Sequence, residues 1–482
     1  MFYPVAQLRQ IEQAALAQGL PLMQRAGQAA AGFIAQRFGP QARGLVLVGP
    51  GNNGGDALVA ARRLHELGFA LDVLMPAGPE PLPADAAQAW QDWLAVGGSA
   101  LHSLPAQPYQ FVLDGLFGIG LNRALASEWT DLIDAVNALA LPTLALDVPS
   151  GILADSGAQP GAAIQASWTL SLIGTARGLL TGAACNQVGQ RQLATLGLPD
   201  SLLPAGSLAD CAQLAAQCRL SRQPDSHKGR FGTLVIVGGA AGMAGAGLLA
   251  GRAALHAGAG KVIVHQLDPD GPRYDPCRPE LMLRQYTTGQ DLQADVLVVG
   301  PGLGNSSAAA QALRQALATP LPLLLDADAL NLLASDTGLG EAVAQRAAPC
   351  VLTPHPSEAA RLLACSTVDI QAQRFDAAQA LAERYHATVV LKGAGSLVAQ
   401  RTRMAVNTAG SAALANAGQG DVLSGLIGAL LAQGLDDWQA VNLGVWAHAT
   451  ASDALRARTG SLVTLADDVA EQVGRVLARH QC

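Results

Sequence analysis

Short aliphatic runs alternate with longer stretches of helical periodicity along the whole chain. This alternation is typical of parallel α/β architecture, in which helices cover both faces of a buried sheet. In the first half the predicted strands are GLVLVG, ALDVLM, FVLDG, PTLALDVPSG and ASWTLSLI. In the second half they are GTLVIVGG, KVIVHQL, ADVLVVGPG, PLLLDADAL, CVLTPHP and TVVLKGAG.

The alternation pauses once, between about Pro204 and Pro224, where Pro, Ser and Asp residues gather. A chain of 482 residues is longer than one hydrophobic core usually serves. Each half has its own set of strands, so each half can close its own sheet. We therefore expect an α/β protein of two three-layer αβα domains, residues 1–212 and residues 221–482.

The amino-acid composition argues against some kinds of ligand, namely nucleic acids and zinc. Half of the residues are apolar and 14% are charged, as in a globular protein. The formal net charge is -7 and no run of Lys or Arg occurs, which argues against nucleic-acid binding. The seven cysteines are scattered and form no C-x-x-C pair, which indicates reduced thiols and no zinc site.

The sequence predicts neither an export signal nor a membrane span. The N-terminal MFYPVAQLRQIEQAAL has an amphipathic helix pattern instead of the basic start and apolar run of a signal peptide. Residues 231–251 are uncharged and long enough to span a membrane, but they are rich in glycine and contain only a short strand-like run. We expect a cytoplasmic protein.

Oxygen-bearing side chains follow three strands of the first half. Asn53 follows LVLV, Asp114 follows FVL, and Asp147 and Ser150 follow TLAL. Ligands of open parallel sheets bind beyond the carboxyl ends of the strands, so these residues share one edge. Asn53, Asp114 and Ser150 could bind a monovalent or divalent hard cation, and Asp147 is a candidate acid or base. The alternative for each residue alone is a helix cap or a turn.

The second half contains NAGQGDVLSG, a glycine turn followed by an apolar helix. The amides around Gly418 and Gly420, together with the helix dipole, form a preorganised anion site. Asp421 lies in the first helical turn, where it can accept a proton from a substrate hydroxyl. A base beside an anion site is the minimum equipment for phosphoryl transfer to an alcohol. The alternative is a capping Asp after an ordinary glycine turn.

Glycine and polar residues also follow the other strands of this half. They are the glycine turn at residues 300–304, Asp326, Asp328, His355, Glu358 and Lys392. The small residues after Lys392 leave room for a flat nucleotide. The alternatives are that Ser357 caps a helix and that Lys392 is a solvated surface charge. His448 lies on an apolar helical face, and we expect it to be a packed core histidine.

Four motifs of the first half, LMQRAG, GNNGGD, DGLFGIGLNR and ALDVPSG, resemble the YjeF-type N-terminal domain, the NAD(P)H-hydrate epimerase. The resemblance covers about the first 200 residues. It implies a Rossmann-like fold that binds NADH or NADPH hydrated on the nicotinamide ring (NADHX and NADPHX). It also implies an activity that interconverts the R and S forms of that hydrate.

The resemblance implies the site residues of this domain. The substrate contacts are Asn52, Asn53, Gly54, Gly55, Asp56, Gly118, Ile119, Gly120, Leu121, Asn122, Arg123, Ala124 and Asp147. A potassium ion is held by Asn53, Asp114 and Ser150. Asp147 stays the candidate catalytic acid or base. In SLIGTARGLLTG this chain has Arg177 where the family has a lysine, so the contact made at that point is open.

Eight motifs of the second half resemble the ribokinase-like superfamily, and within it the ADP-dependent NAD(P)H-hydrate dehydratase. They are HKGRFG, GGAAGMAGAG, RPELM, GPGLG, DADALN, LTPHPSE, LKGAGS and GQGDVLSG, in the expected order. In that family ADP, or ATP in many eukaryotic members, phosphorylates the ring hydroxyl of the S hydrate. Phosphate then leaves and the normal dihydronicotinamide is restored.

This resemblance also implies site residues. The hydrate contacts are Ala246, Gly302, Gly304, His355 and Asp421, and Asp421 is the base. The nucleotide contacts are Lys392, Gly393, Ala394, Gly395, Ser396 and Gly420. Glu358 helps to order a Mg²⁺ ion, because phosphoryl donors arrive with one. Most family members read Gly-Thr-Gly-Asp where this chain has Gln419, so we expect activity with changed nucleotide contacts.

Together the two resemblances predict a bifunctional repair enzyme that epimerises NAD(P)H hydrate and dehydrates its S form while ADP becomes AMP and phosphate. Two alternatives stay open: the second half as a kinase of a small hydroxylated metabolite, and the first half as a non-catalytic nucleotide-binding domain. The predicted partners are NADHX, NADPHX and ADP, with K⁺ and Mg²⁺, and neither nucleic acid nor membrane. Apolar content favours a homo-oligomer, with a tetramer as one form.

Overall fold

The computed structural model describes residues 1–79 and 81–481, in two compact units. The first unit is Met1–Leu208, and the second begins at Ala209. Each unit has its own β-sheet covered by helices, so both are layered αβα folds, as the strand and helix pattern predicted.

A parallel sheet forms the centre of the first unit. Its strand order is β3-β2-β4-β5-β6-β8, and the short strands β1 and β7 pair separately. The strands are β1 (Phe2–Tyr3), β2 (Arg43–Val48), β3 (Ala70–Leu74), β4 (Phe111–Gly115), β5 (Thr143–Leu146), β6 (Trp168–Leu172), β7 (Thr175–Ala176) and β8 (Gln190–Ala194). The helices are α1 (Val5–Ala17), α2 (Leu22–Ala35), α3 (Asn52–Glu66), α4 (Ala84–Ala95) and α5 (Ser127–Ala138).

Strands β2, β4 and β5 are buried along nearly their whole length, as expected for strands covered on both faces. They are neighbours in the sheet and run parallel. Their carboxyl ends therefore lie at one edge. Asp114 is the fourth residue of β4, and the segments that follow β2 and β5 bring Asn52 and Asp147 to the same edge.

The second unit has a larger sheet, with the order β12-β11-β10-β13-β14-β15-β16-β17-β18. Its strands are β9 (Leu208–Asp210, at the unit boundary), β10 (Thr233–Gly238), β11 (Lys261–Gln266), β12 (Met282–Gln285), β13 (Val296–Val299), β14 (Leu323–Leu325), β15 (Cys350–Leu352), β16 (Thr388–Leu391), β17 (Leu397–Gln400) and β18 (Arg403–Val406). Strands β10 to β16 are parallel to one another.

Helices cover this sheet. They are α6 (Cys211–Ala215), α7 (Ala244–Ala257), α8 (Ser307–Leu317), α9 (Asp328–Ser335), α10 (Thr337–Ala344), α11 (Pro356–Leu363), α12 (Thr367–Ala372), α13 (Arg374–Tyr385), α14 (Gln419–Ala432), α15 (Asp437–Thr459) and α16 (Ala466–Gln481). Leu234 and Ile236 of β10 share one apolar core with Ala250 of α7 and Leu426 of α14.

The parallel arrangement predicted from the sequence ends at one side of the second sheet, where antiparallel strands are added. Strands β16, β17 and β18 are antiparallel neighbours. The links between them are short turns, residues 392–396 and 401–402, and so short a link can join only antiparallel strands. The uncharged residues 231–251 form β10 and most of α7. Among the described residues, no helix is long and apolar enough to cross a membrane.

Helices α7 and α14 approach closely because glycine lies between them. A Cβ atom at Gly425 of α14 would lie 1.9 Å from the main-chain oxygen of Ala250 in α7. Backbone cannot yield as a flexible side chain can, so any larger residue forces the helices apart. The N-terminal turn of α14 carries Asp421, and this contact therefore also positions the candidate base.

We predict that Gly425→Ala lowers the free energy of unfolding by about 1–3 kcal/mol, because the added methyl group overpacks the helix contact. Thermal unfolding measures this change. The matched control is Gly245→Ala in α7, where a Cβ atom meets nothing within 4 Å. That control is expected to keep or slightly raise the melting temperature. Equal losses in both variants would contradict the packing argument.

Candidate active sites

A cavity of about 760 Å³ opens at the carboxyl edge of the first sheet. Helices α1 and α2 and the segments after β2, β4 and β5 line it. Most of the substrate contacts expected from sequence are lining residues: Asn52, Asn53, Asp56, Gly118, Ile119, Gly120, Leu121, Asn122, Arg123, Ala124 and Asp147. The sequence motifs therefore converge on one cavity.

Gly54 and Gly55 are not lining residues of this cavity. A Cβ atom at Gly54 would lie 2.1 Å from the main-chain oxygen of Gly49, and one at Gly55 would lie 2.5 Å from Cε of Met23. These two glycines let α3 begin directly beside the end of β2 and against α2. Their evident role in the structure is close packing.

Asp147 has an unusual backbone conformation at the edge of the cavity. Its φ is +62°, a region that side-chain-bearing residues rarely adopt. Its carboxylate accepts long hydrogen bonds from the amides of Ile119 and Leu172, both at 3.4 Å. Burial raises the pKa of Asp147 to about 6, although those two bonds oppose the rise. The carboxyl can therefore exchange a proton near neutral pH.

Two further acids face the same cavity. Burial, with the negative charges of Asp147 and Glu12, raises the pKa of Asp56 well above its ordinary value. Burial also raises the pKa of Glu12, which the nearby Arg9 opposes. Glu12 lies on α1 and was not among the residues expected from sequence. Its only signal was a polar position on an amphipathic helix, which surface residues share.

Asp114 and Ser150 form a tight polar pair under this edge. The Ser150 hydroxyl donates to Oδ1 of Asp114 at 2.7 Å, and the Ser150 amide donates to Oδ2 at 2.9 Å. The Phe117 amide donates to the Ser150 hydroxyl at 2.9 Å. Burial still raises the pKa of Asp114 to about 6. The buried Nδ2 of Asn53 has no hydrogen-bond partner among the described residues.

Arg177 does not line the cavity. Its guanidinium pairs with the carboxylate of Asp155, at 3.0 Å from Nε and 3.1 Å from Nη2. The Asp155 carboxylate also accepts the Val5 amide at 3.1 Å. Through Asp155, Arg177 thus links its own turn to the first residue of α1.

The second unit gathers its charged residues at the ends of β14 and β16. Asp326 is 1% exposed, and its carboxylate accepts Nζ of Lys392 and the hydroxyl of Ser424, each at 2.8 Å. Burial alone would raise the pKa of Asp326, but the charge and hydrogen bond of Lys392 bring that pKa below its ordinary value. Lys392 is therefore not the solvated surface charge of the alternative interpretation.

His355 and Glu358 form a reciprocal cap at the start of α11. Nδ1 of His355 accepts the amides of Ser357 and Glu358, at 3.1 Å and 3.3 Å, and Oε2 of Glu358 accepts the His355 amide at 2.8 Å. Nε2 of His355 therefore carries the proton and faces Oε1 of Glu358 at 3.2 Å. Burial raises the pKa of Glu358 to about 7, although Lys392 lowers it.

The glycine turn before α14 lies next to Lys392. Gly418 has a φ of +87°, and a Cβ atom at Gly420 would lie 3.3 Å from Nζ of Lys392. Burial raises the pKa of Asp421 to about 6, with the negative charge of Asp326 adding to the rise and the Lys392 charge opposing it. An anion at this turn would meet amides and an ammonium group beside a carboxylate that can take a proton.

Gln419 points into the protein instead of into the turn. Its side chain is buried, donates to the Thr464 carbonyl at 2.8 Å and to Asn416 at 3.1 Å, and accepts from Nε2 of His448 at 3.0 Å. Burial lowers the pKa of His448 to about 4, so the imidazole is neutral and its Nε2–H donates. His448 is buried, as expected, and holds the turn through Gln419.

The glycine turn after β13 lies against the start of α7. A Cβ atom at Gly302 would lie 3.1 Å from the Cβ of Ala246, and Gly302 and Gly304 have φ values of +58° and +73°. The Gly304 amide donates to Oδ2 of Asp328 at 2.8 Å. The structure thus brings together Ala246 and the glycines that the sequence placed at the hydrate.

The Lys392–Asp326 pair generates a testable result. We predict that Lys392→Met costs about 3–5 kcal/mol of folding stability near pH 8, because it leaves a buried carboxylate without its cation. In the variant, burial raises the Asp326 pKa, so acid protonates and discharges the group in the folded state. The stability deficit relative to the native protein should therefore shrink as pH falls towards 5.

Thermal unfolding at pH 8 and pH 5 measures this difference, and Asp326→Asn combined with Lys392→Met should recover part of the loss. The matched control is Arg314→Met. It breaks the exposed Arg314–Asp336 pair, whose side chains are 58% and 40% exposed, and should cost under about 1 kcal/mol. A Lys392→Met deficit that does not vary with pH would contradict the pairing.

Comparison with known proteins agrees with this division. The family model described as NAD(P)H-hydrate dehydratase matches residues 234–475, and the model described as YjeF-related protein N-terminus matches residues 19–178. The bifunctional NAD(P)H-hydrate repair enzyme Nnr of Escherichia coli strain K12 is 41% identical over 468 residues, covering 95% of this chain and 89% of that enzyme. Nnr of Coxiella burnetii is 38% identical over 488 residues, covering 97% and 98%.

Two solved structures resemble the second unit. A ribokinase-like superfamily protein from Enterococcus faecalis V583 is 27% identical with a TM-score of 0.50, covering 56% of this chain and 95% of that one. The ADP/ATP-dependent NAD(P)H-hydrate dehydratase of Bacillus subtilis, co-crystallised with ATP and Mg²⁺, is 26% identical with a TM-score of 0.50, covering 57% and 100%. With both family models and nearly its whole length matched, the chain belongs to the family of bifunctional NAD(P)H-hydrate repair enzymes.

Proposed function

We propose that the two sites act in sequence on hydrated NADH and NADPH, with residues 1–212 as the epimerase and residues 221–482 as the dehydratase. One observation carries the proposal. The same chain holds a cavity lined by buried acids and, separately, a glycine turn that suits a phosphate group and lies beside its own base, Asp421. The near full-length similarity to bifunctional repair enzymes supports it. An epimerase supplies the S form that the dehydratase accepts, so both epimers are repaired.

In the first site, we assign proton transfer at the hydrated ring carbon to Asp147. A carboxyl with a pKa of about 6 is present in both protonation states near neutral pH, so it can donate to a departing hydroxyl and accept from an arriving water. Asn52, Asn53 and Asp56 would contact the substrate from α3. The remaining contacts would come from the segment after β4: Gly118, Ile119, Gly120, Leu121, Asn122, Arg123 and Ala124. Gly54 and Gly55 would act through packing.

We assign the potassium site to Asn53, Asp114 and Ser150. Three observations fit a weakly charged cation: the buried Asp114 carboxylate, the hydroxyl beside it, and the buried Asn53 amide whose nitrogen lacks a partner among the described residues. The side-chain amide of Asn53 can rotate so that its oxygen, instead of its nitrogen, faces the cation. A bound cation would compensate the buried charge of Asp114 and hold the loops around the cavity in place.

In the second site, Asp421 is the proposed base for the ring hydroxyl of the S hydrate. It accepts the hydroxyl proton while the oxygen bonds to the terminal phosphorus of the nucleotide and the bond to AMP breaks. The amides at Gly418 and Gly420 and the ammonium of Lys392 stabilise the charge on the transferred group. The phosphate then leaves the ring carbon, and a proton leaves the neighbouring carbon to form the ring double bond.

The remaining contacts follow from the same arrangement. Ala246, Gly302, Gly304 and His355 would contact the hydrate. The turn after β16 would contact the nucleotide through Lys392, Gly393, Ala394, Gly395 and Ser396, together with Gly420. Because Gln419 is buried and bonded to His448, we now expect unchanged nucleotide contacts at that position.

We propose ADP with Mg²⁺ as the phosphoryl donor. The Bacillus subtilis relative was co-crystallised with ATP and Mg²⁺, and its name gives both nucleotides. In this chain, the carboxylate of Glu358 lies 3.9 Å from Nζ of Lys392 and supplies hard oxygens near the glycine turn. Mg²⁺ usually takes one or two carboxylates together with the phosphates of the nucleotide, so this donor suits it. Glu358 would help to order the ion. The homo-oligomeric state and the cytoplasmic location stay predictions.

The decisive assay incubates the purified chain with mixed R and S NADHX, ADP and Mg²⁺, and follows the absorbance of intact NADH. Complete recovery faster than spontaneous epimerisation supports both activities. If NADH is recovered at enzymatic speed from the S form only, the first unit is a binding domain without epimerase activity. A free phosphorylated product without NADH would favour the small-metabolite kinase.

We predict that Asp421→Asn and Asp147→Asn separate the two activities. Asp421→Asn should lower the rate of S-hydrate dehydration at least about 100-fold, because a positioned base contributes that much, and should leave epimerisation intact. Asp147→Asn should do the reverse. Dehydration is followed on the pure S form by NADH absorbance, and epimerisation by chromatography of the two epimers. Loss of both activities in either variant would contradict independent sites.

We predict that kcat/KM for dehydration of the S form falls below about pH 6. The base must be ionised to act, and burial raises the pKa of Asp421 to about 6, so the active fraction falls about tenfold for each further pH unit. Asp326 and Asp328 add to this rise, and Lys392 opposes it. Initial rates, corrected for the reaction without enzyme, measure the profile while circular dichroism monitors folding. A profile flat down to pH 4.5 would contradict Asp421 as the base.

A further inference from the structure

Arg374 is a completely buried arginine that none of the motifs includes. It is the first residue of α13 and has no exposed surface. Among the described residues it is the largest side chain that is fully buried. Burying a guanidinium is costly unless its donors are bonded, so its partners show what it does.

The Arg374 guanidinium binds the main chain at the end of β16. Nη2 donates to the carbonyl oxygens of Leu391 and Lys392, both at 3.2 Å, and Nη1 donates to Oε1 of Gln371 at 2.8 Å. These two carbonyls begin the turn that we assign to the nucleotide. Arg374 therefore lies directly beneath that turn.

Bonding a carbonyl also fixes the direction of the next amide. In a trans peptide the C=O and N–H groups point in opposite directions. The Leu391 carbonyl points to Arg374, and the following amide, that of Lys392, donates to the Pro354 oxygen at 2.9 Å. By the same geometry, the Lys392 carbonyl holds the Gly393 N–H away from Arg374.

The Gly393 N–H is available to a ligand. Within the described part of the chain it donates to no acceptor, and Gly393 is exposed. Its φ is +136°, and a Cβ atom there would lie 3.1 Å from both terminal guanidinium nitrogens. Only glycine allows the main chain to lie so close to Arg374 in this conformation.

We propose that Arg374 is a positioning residue that holds the Lys392–Gly393 peptide so that the Gly393 N–H binds a phosphate oxygen of the adenine nucleotide. The inference rests on the proposed function of this turn. Arg374 adds positive potential under the turn without touching the ligand, and the two bonds from its Nη2 set the amide direction. Lysine would keep the charge but has a single nitrogen, so it could not bind both carbonyls and Gln371 in the planar geometry of a guanidinium.

The test uses the full-length protein and isothermal titration calorimetry with ADP and Mg²⁺, without hydrate. Arg374→Lys should weaken ADP binding by roughly tenfold, the effect of losing about one hydrogen bond to a charged group. Gln371→Ala removes the exposed partner of Nη1 and should weaken binding by a smaller factor. In steady-state assays, both variants should raise KM for ADP while KM for the S hydrate stays unchanged.

Arg346→Lys is the matched control. Arg346 also binds main-chain carbonyls, including those of Ala316 and Thr319, but in another part of the fold. This control should alter the melting temperature without changing ADP affinity. Equal loss of ADP affinity in Arg346→Lys would show a general loosening and overturn the inference.

The remaining outcomes are also decisive. Native ADP affinity in folded Arg374→Lys and Gln371→Ala overturns the inference while the proposed function stands. If Arg374→Lys does not fold, Gln371→Ala decides alone, since Gln371 lies at the surface. If the native protein binds no adenine nucleotide, the proposed function fails and this inference fails with it.

Discussion

Both sites depend on carboxylates that are buried at the carboxyl edge of a parallel sheet. A buried carboxylate must be neutralised, paired with a cation or supplied with hydrogen bonds, and the two units meet this requirement differently. In the first, Asp114 takes its bonds from Ser150 and Asp147 takes two long bonds from amides. In the second, Asp326 is paired with Lys392. In the first unit burial raises the pKa values of these acids, and in the second a fixed ion pair lies beside Asp421 and Glu358, whose pKa values burial also raises.

This difference matches the chemistry of the two activities. Epimerisation returns the substrate to the same composition, so its acids must both give and take a proton, which a pKa of about 6 allows. Phosphoryl transfer moves charge from one oxygen to another, so it needs a permanent positive group close to the reacting atoms. Lys392, whose ammonium donates to Asp326, is the group that we propose for this part.

Much of both folds was predictable from the sequence, because strands such as β2 and β13 are continuous apolar runs and parallel sheets bury both faces. The edge strand β8 was not expected, since Gln190–Ala194 is polar and largely exposed and has no pattern to distinguish it from a loop. The antiparallel strands β17 and β18 were also not expected, because direction depends on the short turns between them.

The candidate sites were predictable to the extent that their residues lie in motifs. Asp147 and Asp421 follow strands or glycine turns that identify them. Glu12 and Arg374 lie on ordinary helices, and only the folded chain brings them to a cavity or under a turn. The direction of a side chain was equally invisible to sequence: Gln419 lies inside the glycine motif, yet its amide points inward to His448.

That inward contact makes positions 419 and 448 epistatic. A shorter residue in place of Gln419 would leave the buried Nε2–H of His448 without an acceptor, and an apolar residue in place of His448 would leave the Gln419 oxygen without its donor. Replacing Gln419 by the threonine of the Gly-Thr-Gly-Asp motif therefore gives a destabilised single variant, unless position 448 changes at the same time. Libraries that diversify the anion turn of this chain should vary the two positions as a pair.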